Sequence, residues 1–213
     1  MDVFESKVLS ALAKLVSEGK VQSEKMADEI LVLKKCKMVV RTGDIKIGDQ
    51  IEIELKYLGT FTATAHDITD KGVLFIFDDC VARRQMNDTC TNNGSYKKSD
   101  LYKWINTTLL DAFPEDIRKR ITDITIPTYG QMFGHDDWYR NSFEEDNSER
   151  LPLMSIRKNR IATCDNDACW YWLKNATKKS VSSEYFASVD PIGRAASTDA
   201  DDECGVRPIF WLV

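Results

Sequence analysis

Six cysteines (Cys36, Cys80, Cys90, Cys164, Cys169 and Cys204) and two histidines, His66 and His135, are the residues with the most obvious chemistry. Thiolates and imidazoles hold structural zinc. Cys164 and Cys169, however, stand four residues apart rather than the two of a zinc knuckle. The start, Met-Asp-Val-Phe-Glu, lacks the basic and then apolar order of a secretory leader. We therefore expect synthesis in a cytoplasm, where thiols stay reduced. The cysteines read as packing residues, and no metal or cofactor is expected. The acidic run Asp199-Ala-Asp-Asp-Glu203 has the oxygen density of a calcium loop. It has no EF-hand spacing, so it reads as a solvated loop, and Asp165-Asn-Asp167 is a weaker version of it. No nucleophile elbow, phosphate loop or His-Glu-x-x-His motif is present. His66 lies beside Asp67 with no nucleophile to serve. The expected class is non-enzymatic.

A recognition surface is the remaining chemistry. Residues 175–183 and 190–203 are rich in Ser, Asn, Thr, Asp and Ala, with Tyr185 and Phe186 between them. Small polar groups beside rigid aromatics suit protein or glycan contacts. Lys174, Asn175, Lys178, Ser182, Tyr185, Arg194, Asp199 and Asp201 are the candidate ligand-binding residues. Trp170 and Trp172 share one strand face by period two and read as core anchors. Arg207 reads as the partner of a buried carboxylate.

The elements that must position these residues change period along the chain. Val8, Leu12 and Leu15, then Met26, Ile30 and Leu33, repeat at helical spacing about a break at Gly19-Lys20. Two helices are expected, over about 3–18 and 22–36, each too short to stand alone in water. They dock in cis or serve to attach or oligomerise the chain; we carry the second reading. From residue 38 the period is two. Ile51, Ile53, Leu55 and Tyr57 alternate with Glu52, Glu54 and Lys56, which predicts a half-exposed strand. Thr62–Asp67 and Val73–Phe77 complete a meander. Ser99 caps a helix through Leu101, Trp104 and Leu109 that stops before Pro114, and Pro114 opens another. Ile121–Ile126 is a strand, 128–150 a long surface loop, and Leu151–Ile156, Trp170–Leu173, Tyr185–Val189 and Val206–Leu212 are further strands. The last five residues, Ile209 to Val213, are all apolar, so the tail reads as a buried strand. It is expected to lie beside the strand near Trp170, pushing the polar stretch between them outward.

The chain has 213 residues, enough to bury roughly 70% of its unfolded surface. Its 29 basic and 34 acidic residues are scattered and give a net charge of −5. That balance argues against nucleic acid as a partner. The absence of any run of eighteen apolar residues argues against membrane insertion.

One ordered set of segments resembles a known family. It runs Lys98-Ser-Asp-Leu-Tyr-Lys-Trp-Ile-Asn106, Leu151-Pro-Leu-Met-Ser155, Asn159-Arg-Ile161, Trp170-Tyr-Trp-Leu-Lys174 and Gly205-Val-Arg-Pro-Ile-Phe-Trp211. The order is similar to an uncharacterised domain family of gut Firmicutes and their phages, over about residues 40–213. The Arg-Ser-Pro that follows the tryptophans in that family is Lys174-Asn175-Ala176 here. The resemblance implies an α+β, C-type-lectin-like mixed domain over 38–213, with antiparallel strands and short helices, preceded by the helical hairpin of 1–37. Phage receptor-binding tip proteins and the formylglycine-generating enzymes have the same kind of fold. The implied function is a virion protein, a capsid decoration or tail component made in a bacterial cytoplasm. Residues 1–37 would then meet other virion proteins or copies of the chain, and the domain would face a host protein or glycan. The alternatives are a copper-dependent oxidase of the formylglycine-generating type, using Cys169 and Cys204, and a bacterial intracellular adaptor. The calcium and sugar signatures of true C-type lectins are absent, so calcium-dependent sugar binding is not implied.

Overall fold

The computed structural model describes residues 45–213. The helices expected within 1–37 lie outside the described residues. Those described are mixed α+β, with mostly antiparallel strands and short helices. Sheet A has the order β1 (Gln50–Leu55), β2 (Gly59–Thr69), β3 (Gly72–Phe77), β12 (Ile209–Leu212), β5 (Ile121–Thr125). Sheet B has the order β10 (Ala195–Asp199), β9 (Tyr185–Val189), β8 (Tyr171–Ala176), β11 (Cys204–Val206), β4 (Ala82–Arg84). A small hairpin joins β6 (Thr163–Cys164) to β7 (Asp167–Ala168). Its two turn residues, Asp165 and Asn166, have positive φ, the conformation a two-residue hairpin loop needs and one that Asp and Asn tolerate.

Local pattern explains the strands that alternate. On β1, Ile51, Ile53 and Leu55 turn inward while Gln50, Glu52 and Glu54 face water. Tyr57 does not continue this face: it lies in the turn after β1 at φ 66° and is 91% exposed. On β3, Val73 to Phe77 are all buried, because the centre of sheet A is covered on both sides. One side carries Phe75, Phe77 and Phe210; the Phe210 ring meets Phe75, Phe77 and Phe113, and Phe77 also meets Phe113, at centroid distances of 5.4–5.9 Å. The other side carries Leu74, Ile76 and Ile209. These join Tyr129, Met132, Tyr171, Leu173 and Val189 in one apolar cluster that also draws on sheet B.

The terminal segment is split. The expected strand Val206–Leu212 breaks at Arg207-Pro208, because proline has no N–H to give a ladder. The residues up to the break, Cys204–Val206, form β11, which bridges β8 in parallel through Gly205 and Tyr171. The residues beyond it form β12, which crosses to sheet A and pairs with β3 and β5. The tryptophan strand and the terminal segment therefore meet, but the last strand itself lies in the other sheet. The polar stretch between them is partly structural, since Phe186, Ala187, Ser188 and Val189 of β9 are buried.

The helical stretch after β4 follows its caps. It runs as α1 (Ser95–Lys98), α2 (Asp100–Trp104), a π-helical turn (Ile105–Leu109) and α3 (Leu110–Ala112), then α4 (Glu115–Arg118) after Pro114. The Ser99 side chain accepts from the Tyr102 N–H, as its position before Asp100 predicts.

Two expectations fail in the middle of the chain. Residues 128–150 include two short helices, α5 (Tyr129–Phe133) and α6 (Asp137–Ser142). Thr128 and Gln131 form a capping box for the first, and Asp136 caps the second. Tyr129, Met132, Tyr139 and Phe143 enter the core, so the stretch is packed structure where an irregular surface loop was expected. Leu151–Ile156 is no strand: residues Pro152–Ser155 and Arg157–Arg160 are 3-10 turns, with Pro at the first position of the former.

Asp146 ties this region together. Its carboxylate accepts from the N–H groups of Gly130 and Ser148 and from the Asn175 side-chain amide at 2.8 Å, and also from the Ser148 hydroxyl. Its own N–H donates to the Tyr139 hydroxyl. Burial works against its charge, but the bonds from Ser148, Asn175 and Gly130 outweigh it and hold the carboxyl below the usual carboxylate range. Gly130 has no side chain because a Cβ there would sit 2.5 Å from the Asp146 carboxylate.

Candidate functional site

Trp170 is where the sheet-B surface departs from the expected core. It lies one residue before β8, and its carbonyl accepts from the Gly205 N–H at 2.7 Å. Trp172 is fully buried; its ring meets Phe186 edge-on and its Nε1 donates to the Arg84 carbonyl at 2.8 Å. Trp170 stands beyond that cover and is 43% exposed. It lines an open cleft of about 360 Å³ with Arg83, Ser197, Thr198, Asp199, Asp202 and Glu203. The cleft holds one indole face, hydroxyls, carboxylates and a guanidinium. Such a set can stack on an apolar ring face and hydrogen-bond the polar groups around it.

The buried thiol at the cleft floor, Cys204, is pushed up to about 12, chiefly by burial, and so keeps its proton. The sulfur that Cys169 meets is not that of Cys204 but that of Cys80, at 3.6 Å. Cys169 is held below its ordinary value, first by the hydrogen bond from Cys80, against burial. Burial and, more strongly, the bond to Cys169 push Cys80 well up. Cys80 and Cys169 therefore form a donor and acceptor pair of thiols, with Gly205 against both sulfurs.

The eight candidate residues are not brought into one site. Asp199 lines the Trp170 cleft, where it also accepts from the Cys90 thiol at 3.5 Å. Lys174 and Asn175 line a different cleft, of about 580 Å³, with Tyr96, Asp123 and Asp146. Burial pulls the Lys174 ammonium down from its usual value, against the pull of Asp123 and Asp146, and it lies 5.9 Å from the Tyr96 ring centre. Asn175 is committed to the fold: its oxygen accepts from the Tyr129 N–H, and its amide donates to the Glu144 carbonyl and to Asp146. Lys178 donates to the Arg140 carbonyl. The Ser182 hydroxyl accepts from the Glu184 N–H. Tyr185 has its hydroxyl raised chiefly by the nearby charge of Asp199. Arg194 is exposed at the β9–β10 turn, where its N–H donates to Asp190. The Asp201 carbonyl accepts from Gln85.

Among the described residues, one group of three metal-ligating side chains comes together: Cys90, Glu184 and Asp199, with ligand atoms within 4.8 Å of one another. Burial, then hydrogen bonds to Asp201 and Asp199, push Cys90 up to about 12. A thiol that keeps its proton is a donor to these carboxylates. Arg207 differs from expectation. It is buried, but it donates to the carbonyls of Phe77 and Asn159 and to the Tyr171 hydroxyl, with no carboxylate among the described residues.

Sequence reasoning passed over Trp170, Arg83 and Asp146 as functional or organising residues. One signal was available for Trp170: it follows a cysteine and precedes a run that is buried on both faces, so it sits at an element's end.

No curated protein and no solved structure matches the chain. A family model described as a domain of unknown function, DUF6273, matches residues 71–213, from the turn before β3 to the end of β12, and the chain belongs to that family.

Proposed function

We propose that this chain is a non-enzymatic recognition module of a phage virion, as a capsid decoration or tail component. It would grip a host-surface glycan in the Trp170 cleft. The exposed indole carries the reading, since a large aromatic left in water beside Ser197, Thr198, Asp199, Asp202 and Glu203 is the surface a sugar ring needs. In this reading the family resemblance supplies the virion setting. Residues 1–37 anchor the chain to other virion proteins or to its own copies.

Binding of the full chain to a glycan array tests it. Trp170→Ala should weaken any saccharide bound by about tenfold or more, the loss of one aromatic contact of about 1.4 kcal/mol. Its unfolding free energy in denaturant melts should stay within about 1 kcal/mol of the parent, because Trp170 is nearly half in water. Equal binding by the variant would remove the cleft from the proposal. Detection of the chain in purified particles tests the virion setting separately.

A second reading, the copper-dependent oxidase, is favoured by one observation: the Cys80 and Cys169 sulfurs lie 3.6 Å apart. Two adjacent thiols suit a soft monovalent metal. Titration with Cu(I) should then saturate at one equivalent, and Cys80→Ser should abolish it; no uptake beyond that of the Cys80→Ser variant removes this reading.

A further inference from the structure

A third cleft, of about 390 Å³, is lined by Arg207 and His66. Its position follows from an irregularity in sheet A. The pairing of β2 with β3 slips between Ala65 and Asp67, so His66 is the extra residue of a bulge. Consecutive residues Ala65 and His66 are both buried as a result. His66 is 3% exposed, and its Nδ1 is buried with no hydrogen-bond partner. Burial first, and the charge of Arg207 second, push His66 down to about 4, so its ring is neutral near pH 7.

Arg207 is the other half of the cleft floor. Nε and Nη1 donate to Phe77, Asn159 and Tyr171, and Nη2 donates to nothing among the described residues. A buried guanidinium held only by neutral oxygens is costly, and a buried imidazole nitrogen with no partner adds to that cost. Nη2 needs an acceptor, as does Nδ1 in the tautomer that carries its proton there, and the unbalanced charge asks for an anionic one. The acids of the cleft are Asp78 and Asp79. Asp78 accepts from Thr64 and Gln50, one to each oxygen, and Asp79 accepts twice from Thr163 through Oδ1 alone. Asp79 is exposed and its Oδ2 has no partner among the described residues, so it offers an acceptor to a cation. Leu153 and Ile161 add an apolar wall.

We propose that this cleft binds a free amino acid, with its carboxylate on Arg207 and His66, its ammonium on Asp78 and Asp79, and its side chain on Leu153 and Ile161. One zwitterion satisfies both the unmatched cation and the open Asp79 oxygen, with Asp78 beside it. A simple anion would meet Asp78 and Asp79, and a simple cation would meet Arg207 and Lys158.

Titration of the full chain with L-leucine, 4-methylpentanoate and 3-methylbutylamine, followed by calorimetry and by the ¹⁵N resonances of His66, tests this. Leucine should saturate and shift the Nδ1 resonance, and each analogue lacking one charge should bind at least about tenfold more weakly. His66→Phe should weaken leucine by about tenfold or more. Asp79→Asn, an exposed change that keeps the Thr163 bonds, should do the same and guards against a folding artefact in the first variant. Trp170→Ala should leave leucine binding unchanged, which separates this site from the glycan cleft. No saturation at tens of millimolar, equal binding of 4-methylpentanoate, or full binding by Asp79→Asn would each overturn the proposal.

Discussion

Gly205→Ala is expected to cost more than about 3 kcal/mol of folding stability, the upper part of the range for overpacking a core. The added methyl would sit 2.5 Å from the Cys80 sulfur, 3.0 Å from the Cys169 sulfur and 3.0 Å from the Trp170 carbonyl oxygen. None of the three has room to withdraw. The two thiols are 4% and 3% exposed and lie 3.6 Å apart. The carbonyl accepts the Gly205 N–H itself. Gly205 also joins β8 on one side to the edge strand β4 on the other, so a shift of its backbone would loosen that end of sheet B. In a domain of this size the expected fall in thermal midpoint is about 6–12 °C. Urea melts of Gly205→Ala and of the double variant Gly205→Ala with Cys80→Ala measure it. The second change removes the nearest sulfur and should restore a substantial part of the loss. A single variant that melts with the parent would show that the sulfurs do not confine this position.

The second large effect is at Asp146. Asp146→Ala should cost about 3 kcal/mol or more, because it strands several buried or part-buried donors at once, at about 1–3 kcal/mol for each one left unsatisfied. The donors are the N–H groups of Gly130 and Ser148 and the Asn175 amide, and Asn175 in turn holds the Tyr129 N–H. Losing the carboxylate therefore frees α5 from β8. The same group makes stability depend on pH. Its folded pKa lies below the usual carboxylate value, the Ser148 and Asn175 bonds overcoming burial. The unfolded chain thus binds the proton more readily than the folded one. The stabilisation is full above the unfolded value of about 3.9 and disappears as pH falls through the folded value. Denaturant melts at neutral and acid pH should show Asp146→Asn less stable than the parent near pH 7, with the gap closing toward acid. A gap that stays constant would remove the charge from the account.

Much of the fold was legible. Ile51, Ile53 and Leu55 face inward as their alternation requires, Ser99 caps its helix, and Pro114 separates two helical segments. These depend on neighbours within a few residues. The segment 128–150 was misread because its polar residues outnumber its aromatics. Tyr129, Tyr139 and Phe143 are buried by helix turns too short to show a helical period. Leu151–Ile156 looked extended for the opposite reason: its apolar residues fit a strand, but Pro152 opens a 3-10 turn.

The candidate site was less legible. Asp199 was found from its acidic neighbours, yet the residue that shapes its cleft, Trp170, was assigned to the core with Trp172. Period two places both on one face and cannot say where the cover over that face ends. Arg207 was expected to neutralise a carboxylate and instead donates to neutral oxygens, because the type of a residue tells that it needs acceptors and not which chain segment supplies them.

By itself the amino-acid order determined the local elements: an alternating first strand, an all-apolar third strand, capped helices and an apolar terminal segment. Tertiary structure alone decided that this terminal segment divides between two sheets at Arg207-Pro208 and that a bulge turns His66 toward Arg207. It also decided that the indole of Trp170 is left in water. The physical reason is range. Hydrogen bonding and side-chain alternation act between near neighbours and leave a periodic trace in sequence. Strand partnership and the edge of a packed layer depend on segments far apart in the chain, and no local period records them.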